Sequence, residues 1–169
     1  MRHAVLEGIF ICPTKGEPMR EVQEVEAVAG RGLRGDRYFS AEGSWNWGEP
    51  GKRQVTLINS RFLLGTHFTS AETRRNLIVS GIELMWHIDR EFQIGRVRFR
   101  GVKYCDPCPR PSNLAGRKEE FREEFFDCAG LIADVIVSGL IVLGDPIIPA
   151  RRHQKFASVE EELWRLKRV

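Results

Sequence analysis

The apolar segments of this chain are short, and turn residues divide them at close intervals. That punctuation limits what it can fold into more than any other feature. Residues 4 to 12 and 20 to 28 are apolar or alternating runs bounded by Pro13, Gly16, Pro18 and Gly30, which predicts two strands joined by a loop. Arg53 to Ile58 is β-rich, Asn59-Ser60 can cap a short helix carrying Phe62, Leu63 and Leu64, and Asn76 to Ser80 is a further strand. Arg96 to Arg100 alternates cleanly, but Val102 and Tyr104 fall on the opposite phase, so a β-bulge is expected at Gly101. Tyr104 to Pro111 holds three prolines and is expected to be a rigid loop outside any helix. Leu114, Phe121 and Phe125 predict a helix of about 10 to 13 residues. Leu131 to Val137 and Leu140 to Leu143, joined at Ser138-Gly139, predict a hairpin closed by Gly144-Asp145-Pro146. Many short strands with few helices argue for a mainly β, α+β protein built as a small antiparallel β-barrel.

With 169 residues, one domain is expected over 1–150. A basic segment and a short appended helix follow over 151–169, where Ser158 to Glu161 forms a capping-box pattern before Leu163 and Leu166. Lys+Arg 26 against Asp+Glu 23 gives +3, too mild a balance to argue for nucleic acid. Glu7 interrupts any secretory apolar stretch, and no run reaches the length that spans a bilayer, so a soluble cytoplasmic protein without a membrane partner is expected. Four unevenly spaced cysteines do not make a disulfide scaffold, and a reducing compartment is the default.

Gly30-Arg31-Gly32-Leu33-Arg34-Gly35 matches the dinucleotide fingerprint, but no helix opens after it, which removes the context that motif needs. The glycines suit an anion-binding nest beside Arg31, Arg34 and Arg37; the loop taken alone favours a tight surface loop with an Asp36 to arginine pair. Strand ends converge at a barrel rim, so Arg34, Arg37, Arg53, Arg74 and Arg75 are candidates to line one anionic pocket. Solvated arginines paired with Glu49, Glu72 and Asp36 would give the same spacing. Trp45 and Trp47 are candidates to cover a ring-shaped ligand or to pack the loop. Cys12 and Cys128 are expected to be packed thiols.

Cys105-x-x-Cys108 is the sharpest chemical feature. The prolines disfavour the helix a thioredoxin-like dithiol needs, and no second pair at finger spacing completes a zinc site. An exposed thiolate beside Lys103 and Arg110, binding a soft metal or carrying sulfur, remains open beside the reading of two packed thiols.

Gly32-Leu33-Arg34-Gly35-Asp36-Arg37-Tyr38, Arg53 to Ile58, Glu72 to Val79, Cys105-Asp106-Pro107-Cys108 and Gly144-Asp145, taken in order, resemble the MOSC domain, the domain of molybdenum-cofactor sulfurase C-termini. The resemblance runs from about residue 5 to about residue 148. It implies a barrel-like β fold and one reactive cysteine, Cys108, as the catalytic thiolate and molybdenum ligand. It further implies a molybdenum-pterin cofactor held by Arg34, Arg37, Arg53, Arg75 and Asn76. The implied activity is an oxidoreductase of small N-oxygenated substrates served by a separate redox partner. The alternative is a carrier that holds a persulfide or the cofactor for delivery. Many relatives look like Arg-Gly-Gly-Leu where this chain has Asp127-Cys128-Ala129-Gly130-Leu131, which replaces a basic group by Asp127. Leu84-Met85-Trp86 likewise stands where many carry Leu-Asn.

Overall fold

The computed structural model describes residues 3–151. The basic stretch from Arg152 and the appended helix expected from Ser158 lie outside the described residues. Eleven strands form here: β1 (Val5–Ile11), β2 (Arg20–Glu21), β3 (Glu24–Val28), β4 (Gly32–Leu33), β5 (Val55–Asn59), β6 (Leu77–Ser80), β7 (Glu91–Ile94), β8 (Val97–Tyr104), β9 (Leu131–Val137), β10 (Gly139–Val142) and β11 (Ile147–Ile148). Two short helices, α1 (Arg110–Ala115) and α2 (Phe121–Glu124), precede β9. Single 3-10 turns at Ser60–Leu63 and Leu84–His87 complete the set. The fold is mainly β, as expected.

Eight strands make one sheet in the order β11-β7-β8-β9-β5-β6-β1-β2, and β10-β3-β4 make a second. The pairing is antiparallel except between β5 and β6, which run parallel. This pair is buried on both faces. Leu57, Leu77 and Val79 enter one apolar cluster with Phe92, Phe99 and Leu131. Ile58 and Ile78 enter a second cluster with Phe68, Phe121 and Phe125. A strand buried on both sides loses its alternation and gains a continuous apolar sequence, which fits Val55 to Ile58.

The large sheet rolls until β1 meets the stretch before β11. Leu6 N–H donates to the Asp145 carbonyl (3.0 Å), Gly144 N–H to that of Leu6 (2.8 Å) and Ile147 N–H to that of Ala4 (2.8 Å). The contact stays an isolated bridge at Val5–Pro146 and the barrel is not closed. Pro146 has no N–H to donate, so a regular ladder cannot pass through it.

Several local expectations are met. Asn59 caps the turn at Ser60–Leu63 by accepting from Arg61 N–H (3.1 Å). The register of β8 on β9 shifts between Gly101 and Lys103, the expected bulge. Gly101 is required there because a Cβ would collide with the His87 carbonyl.

Others are corrected. The run 20–28 divides between the two sheets as β2 and β3. The hairpin after Leu131 does not form, because β10 pairs with β3, Gly139 opposite Ala27 and Val142 opposite Glu24. Neither Ser138 nor Gly139 takes the positive φ that a two-residue hairpin turn requires, and Ser138 Oγ accepts from Ala29 N–H (2.8 Å). The long helix is two short ones, since Gly116 ends α1 in the left-handed region (φ 63°). The proline loop is shorter than expected: α1 opens at Arg110 with Pro111 in its first turn, where the missing N–H costs nothing.

His87 ties the segment after β11 to the 3-10 turn at Leu84–His87. Its Nδ1 lies 2.8 Å from the Glu83 carbonyl and its Nε2 3.0 Å from Ala150 N–H, so the ring donates at Nδ1 and accepts at Nε2. Burial pushes its imidazole below the ordinary value, and Arg90 adds to this. An unfolded histidine titrates near ~6.5. The stabilisation is therefore complete above that pH and is lost as pH falls toward the lower folded value. Exposed His67 runs the other way, because Glu124 raises it, but an exposed pair contributes little. The Tm of the wild type is expected to drop more between pH 7.5 and pH 5.5 than that of His87→Asn. Equal drops would remove His87 as the cause.

Candidate cofactor-binding site

Three segments enclose a cleft of about 530 Å³: the Gly-rich chain between β4 and β5, the Arg74-Arg75 turn before β6, and the loop from the end of β8 into α1. Seven basic residues line it (Arg37, Lys52, Arg53, Arg74, Arg75, Lys103, Arg110) against one acid, Asp106. The arginines after Thr73 would alternate faces in a regular strand. Arg74 takes φ of 64°, which breaks the alternation, and both Arg74 and Arg75 line the cleft.

Arg37 is buried and fixed. Its guanidinium contacts Asp36 Oδ1 (3.1 Å), Tyr38 Oη (3.1 Å) and the Arg74 carbonyl (3.3 Å). Burial alone would lower its pKa, but Tyr38 and Asp36 outweigh this and hold it above the ordinary value. Arg74 is the opposite case: burial and then the charge of Arg37 lower it, while its guanidinium donates to the Glu17 carbonyl and to Cys12 Sγ.

Arg75 donates from Nε to the Ala129 carbonyl (2.7 Å) and from Nη1 to that of Thr73 (3.0 Å), with its guanidinium 5.4 Å from the centre of the Phe121 ring. Among the described residues its Nη2 is buried without a partner, and so is Ser44 Oγ on the same cleft. Buried polar atoms of this kind are rare, and a bound polar ligand would satisfy them.

Both thiols of the C-x-x-C pair line the cleft. Cys105 is buried, with its N–H on the Gly130 carbonyl (2.9 Å), and Cys108 is half-buried between Pro107 and Pro109. Lys103 is 3.5 Å from Asp106. Among the described residues no group of three or more His, Cys, Asp or Glu comes together as a metal-ligand set.

The structure brings Arg37, Arg53, Arg75 and Cys108 to one cleft but not Arg34 or Asn76. Arg34 pairs with exposed Glu26 and lies over the Phe39 ring (5.1 Å). Asn76 holds strands together: its Nδ2 donates to the Phe10 carbonyl (3.1 Å) and its Oδ1 accepts from Thr56 N–H (3.1 Å) and Oγ1 (3.0 Å). Arg31 is also committed to Phe39, so of the three arginines in the glycine loop only Arg37 lines the cleft. Asp127 lines a separate concavity with Glu120 and Glu123. Cys12 is fully buried, while Cys128 is half-buried, its thiol pushed up by burial and by Asp127. Ser44 was not legible in the sequence, because a serine in a glycine-rich loop carries no signal of its orientation.

The MOSC domain model matches residues 52–148. The chain belongs to the MOSC family. Among solved structures, the MOSC chain is similar to YuaD of Bacillus subtilis, at TM-score 0.73 and 17% identity over 89% of this chain and 98% of that one. It is also similar to YiiM of Escherichia coli, at TM-score 0.64 and 13% identity over 90% of this chain and 72% of that one. At these identities the likeness shows the fold. No curated protein matches the sequence. No helix among the described residues is long and apolar enough to cross a membrane.

Proposed function

We propose that this MOSC protein binds a molybdenum-pterin cofactor in the cleft and works as an oxidoreductase of small N-oxygenated substrates, fed by a separate electron donor. The family is associated with that cofactor. The observation that carries the reading is a half-buried thiol, Cys108, sharing a strongly cationic cleft with the unpartnered Nη2 of Arg75.

The residues present fit the group. Cys108 offers a soft thiolate on a loop stiffened by Pro107 and Pro109, which suits molybdenum better than hard cations. Arg75 offers a donor already desolvated and oriented by two backbone carbonyls, so a phosphate oxygen would meet it without reorganisation. Arg37, its charge compensated by Asp36, holds the Arg74 carbonyl in place, and Ser44 Oγ adds a hydroxyl. When bound, such a cofactor supplies the redox chemistry, and the protein supplies binding, orientation and electrostatics.

The test is metal analysis of wild type, Cys108→Ala and Arg75→Met from a host supplied with molybdate and able to make the cofactor. The wild type is expected to carry molybdenum, Cys108→Ala none, and Arg75→Met a reduced share. If all three lack molybdenum while the wild type and Arg75→Met, but not Cys108→Ala, show one extra sulfur that dithiothreitol removes, the oxidoreductase reading falls. The protein is then a sulfur carrier through Cys108.

A further inference from the structure

Four side chains of the Gly-rich chain stand along the cleft without a part in the core: Trp45, Trp47, Lys52 and Arg53. Trp45 is 43% exposed and Trp47 68% exposed, although an indole gains much by leaving water. Trp47 takes φ of 48°, a left-handed conformation that a bulky residue adopts only under strain. The backbone is thus held in a costly shape that keeps the ring outward, and such strain concentrates where ligands are clamped.

The wall also carries charge. Lys52 Nζ lies 4.3 Å from the Trp47 ring centre and the Arg53 guanidinium 5.2 Å from that of Trp45. The two indoles meet edge to face at 6.5 Å. Lys52 is partly neutralised by Glu49 (3.2 Å). The Arg53 guanidinium has only ring contacts, with Trp45 and Tyr38, and no carboxylate or carbonyl partner among the described residues. Exposed aromatic surface and an uncompensated cation on one wall call for a ligand that is flat at one end and anionic at the other.

We propose that Trp45, Trp47 and Arg53 select the substrates of this cleft as flat aromatic anions, the ring resting on the indoles and the negative group on Arg53. The inference deepens the function proposed above and rests on it for the word substrate, while the binding itself does not depend on the metal. It also separates two duties among the arginines: Arg75 for the cofactor and Arg53 for what reacts with it.

Three probes separate flatness from charge: naphthalene-2-carboxylate, naphthalene-2-carboxamide and decahydronaphthalene-2-carboxylate, titrated into the full-length protein by calorimetry. The naphthoate is expected to bind tighter than the carboxamide by about fivefold, the size of one exposed ion pair. It is expected to bind tighter than the saturated carboxylate of the same carbon count by about tenfold, the size of an aromatic contact. Trp45→Ala and Trp47→Ala should each weaken the naphthoate by about three- to tenfold, Trp47→Phe should retain most of the affinity, and Arg53→Met should abolish the preference for carboxylate. The indole N–H resonances of Trp45 and Trp47 should shift on titration while that of Trp86 stays in place.

Equal binding of the three probes, no binding at all, or undiminished binding in both tryptophan variants overturns the proposal. Molybdenum content is measured on the same preparations. Metal lost with Cys108 but no naphthoate binding removes the aromatic wall and leaves the cofactor reading. Naphthoate binding with the expected variant effects, in protein that never takes up molybdenum, supports the wall as a ligand site and removes the cofactor reading.

Discussion

Gly130→Ala is expected to destabilise this fold by about 3–5 kcal/mol and to lower Tm by about 10 °C or more. Gly130 has φ of 109°, which an alanine adopts only under strain, and a Cβ there would sit inside the van der Waals boundary of the Leu57 carbonyl oxygen. Leu57 cannot retreat, because it pairs with Leu131 on one side and Leu77 on the other. The glycine also joins the two halves of the site. Its own carbonyl receives Cys105 N–H, and the carbonyl just before it orients Arg75. Gly48→Ala is the control, with φ of 77° and nothing within 4 Å of the added carbon. It should cost only about 1 kcal/mol, the strain alone. Thermal unfolding of the two variants beside wild type decides the matter: a Tm for Gly130→Ala within 2 °C of the control removes the steric account.

Asp36→Ala should be comparably severe, about 3–5 kcal/mol, because it strands a buried cation. Asp36 is 1% exposed and its carboxylate takes three donors: Cys12 N–H (2.9 Å), Tyr38 N–H (3.1 Å) and Arg37 Nη1 (3.1 Å). Removing it leaves two backbone amides and most of a guanidinium charge without compensation. Asp36→Asn keeps an acceptor and the shape but not the charge, so it should fall between. Asp36→Ala with Arg37→Met removes both charges, and a buried apolar pair of similar size is far less costly than one orphaned ion. Urea unfolding midpoints check the order. If the double variant is no more stable than Asp36→Ala, the stranded charge is not the cause.

The strands were legible because their signals are local. β1, β6 and the alternating part of β8 announce themselves in runs of apolar residues, and the bulge at Gly101 follows from a phase change within eight residues. The path of β10 was not legible, because its partner β3 lies more than a hundred residues away and local turn chemistry argues for a hairpin instead. Of the helix expected from Leu114, Phe121 and Phe125, only the Phe121 and Phe125 pair holds, stacked at 4.3 Å; Leu114 is exposed on a separate helix that Gly116 ends.

The cleft was legible as composition and not as geometry. Residue type alone made Arg37, Arg53, Arg75 and Cys108 suspects, and the fold brings them together. The same reasoning named Arg34, and the family resemblance added Asn76; only their partners, Glu26 for one and Thr56 for the other, distinguish a surface ion pair and a strand tie from a ligand contact. No pattern could show that Arg74 would turn left-handed and bring its neighbour to the same side.

The hydrogen bond from Ile147 to Ala4 brings the two ends of the described sheet to within one backbone hydrogen bond of each other (2.8 Å). A module whose two ends leave side by side can be spliced into an exposed loop of a host protein without prising its own sheet apart, and it can be recut at a surface turn with those ends joined. The seam at Pro146 thus gives this architecture a portability that a barrel with ends at opposite poles would lack.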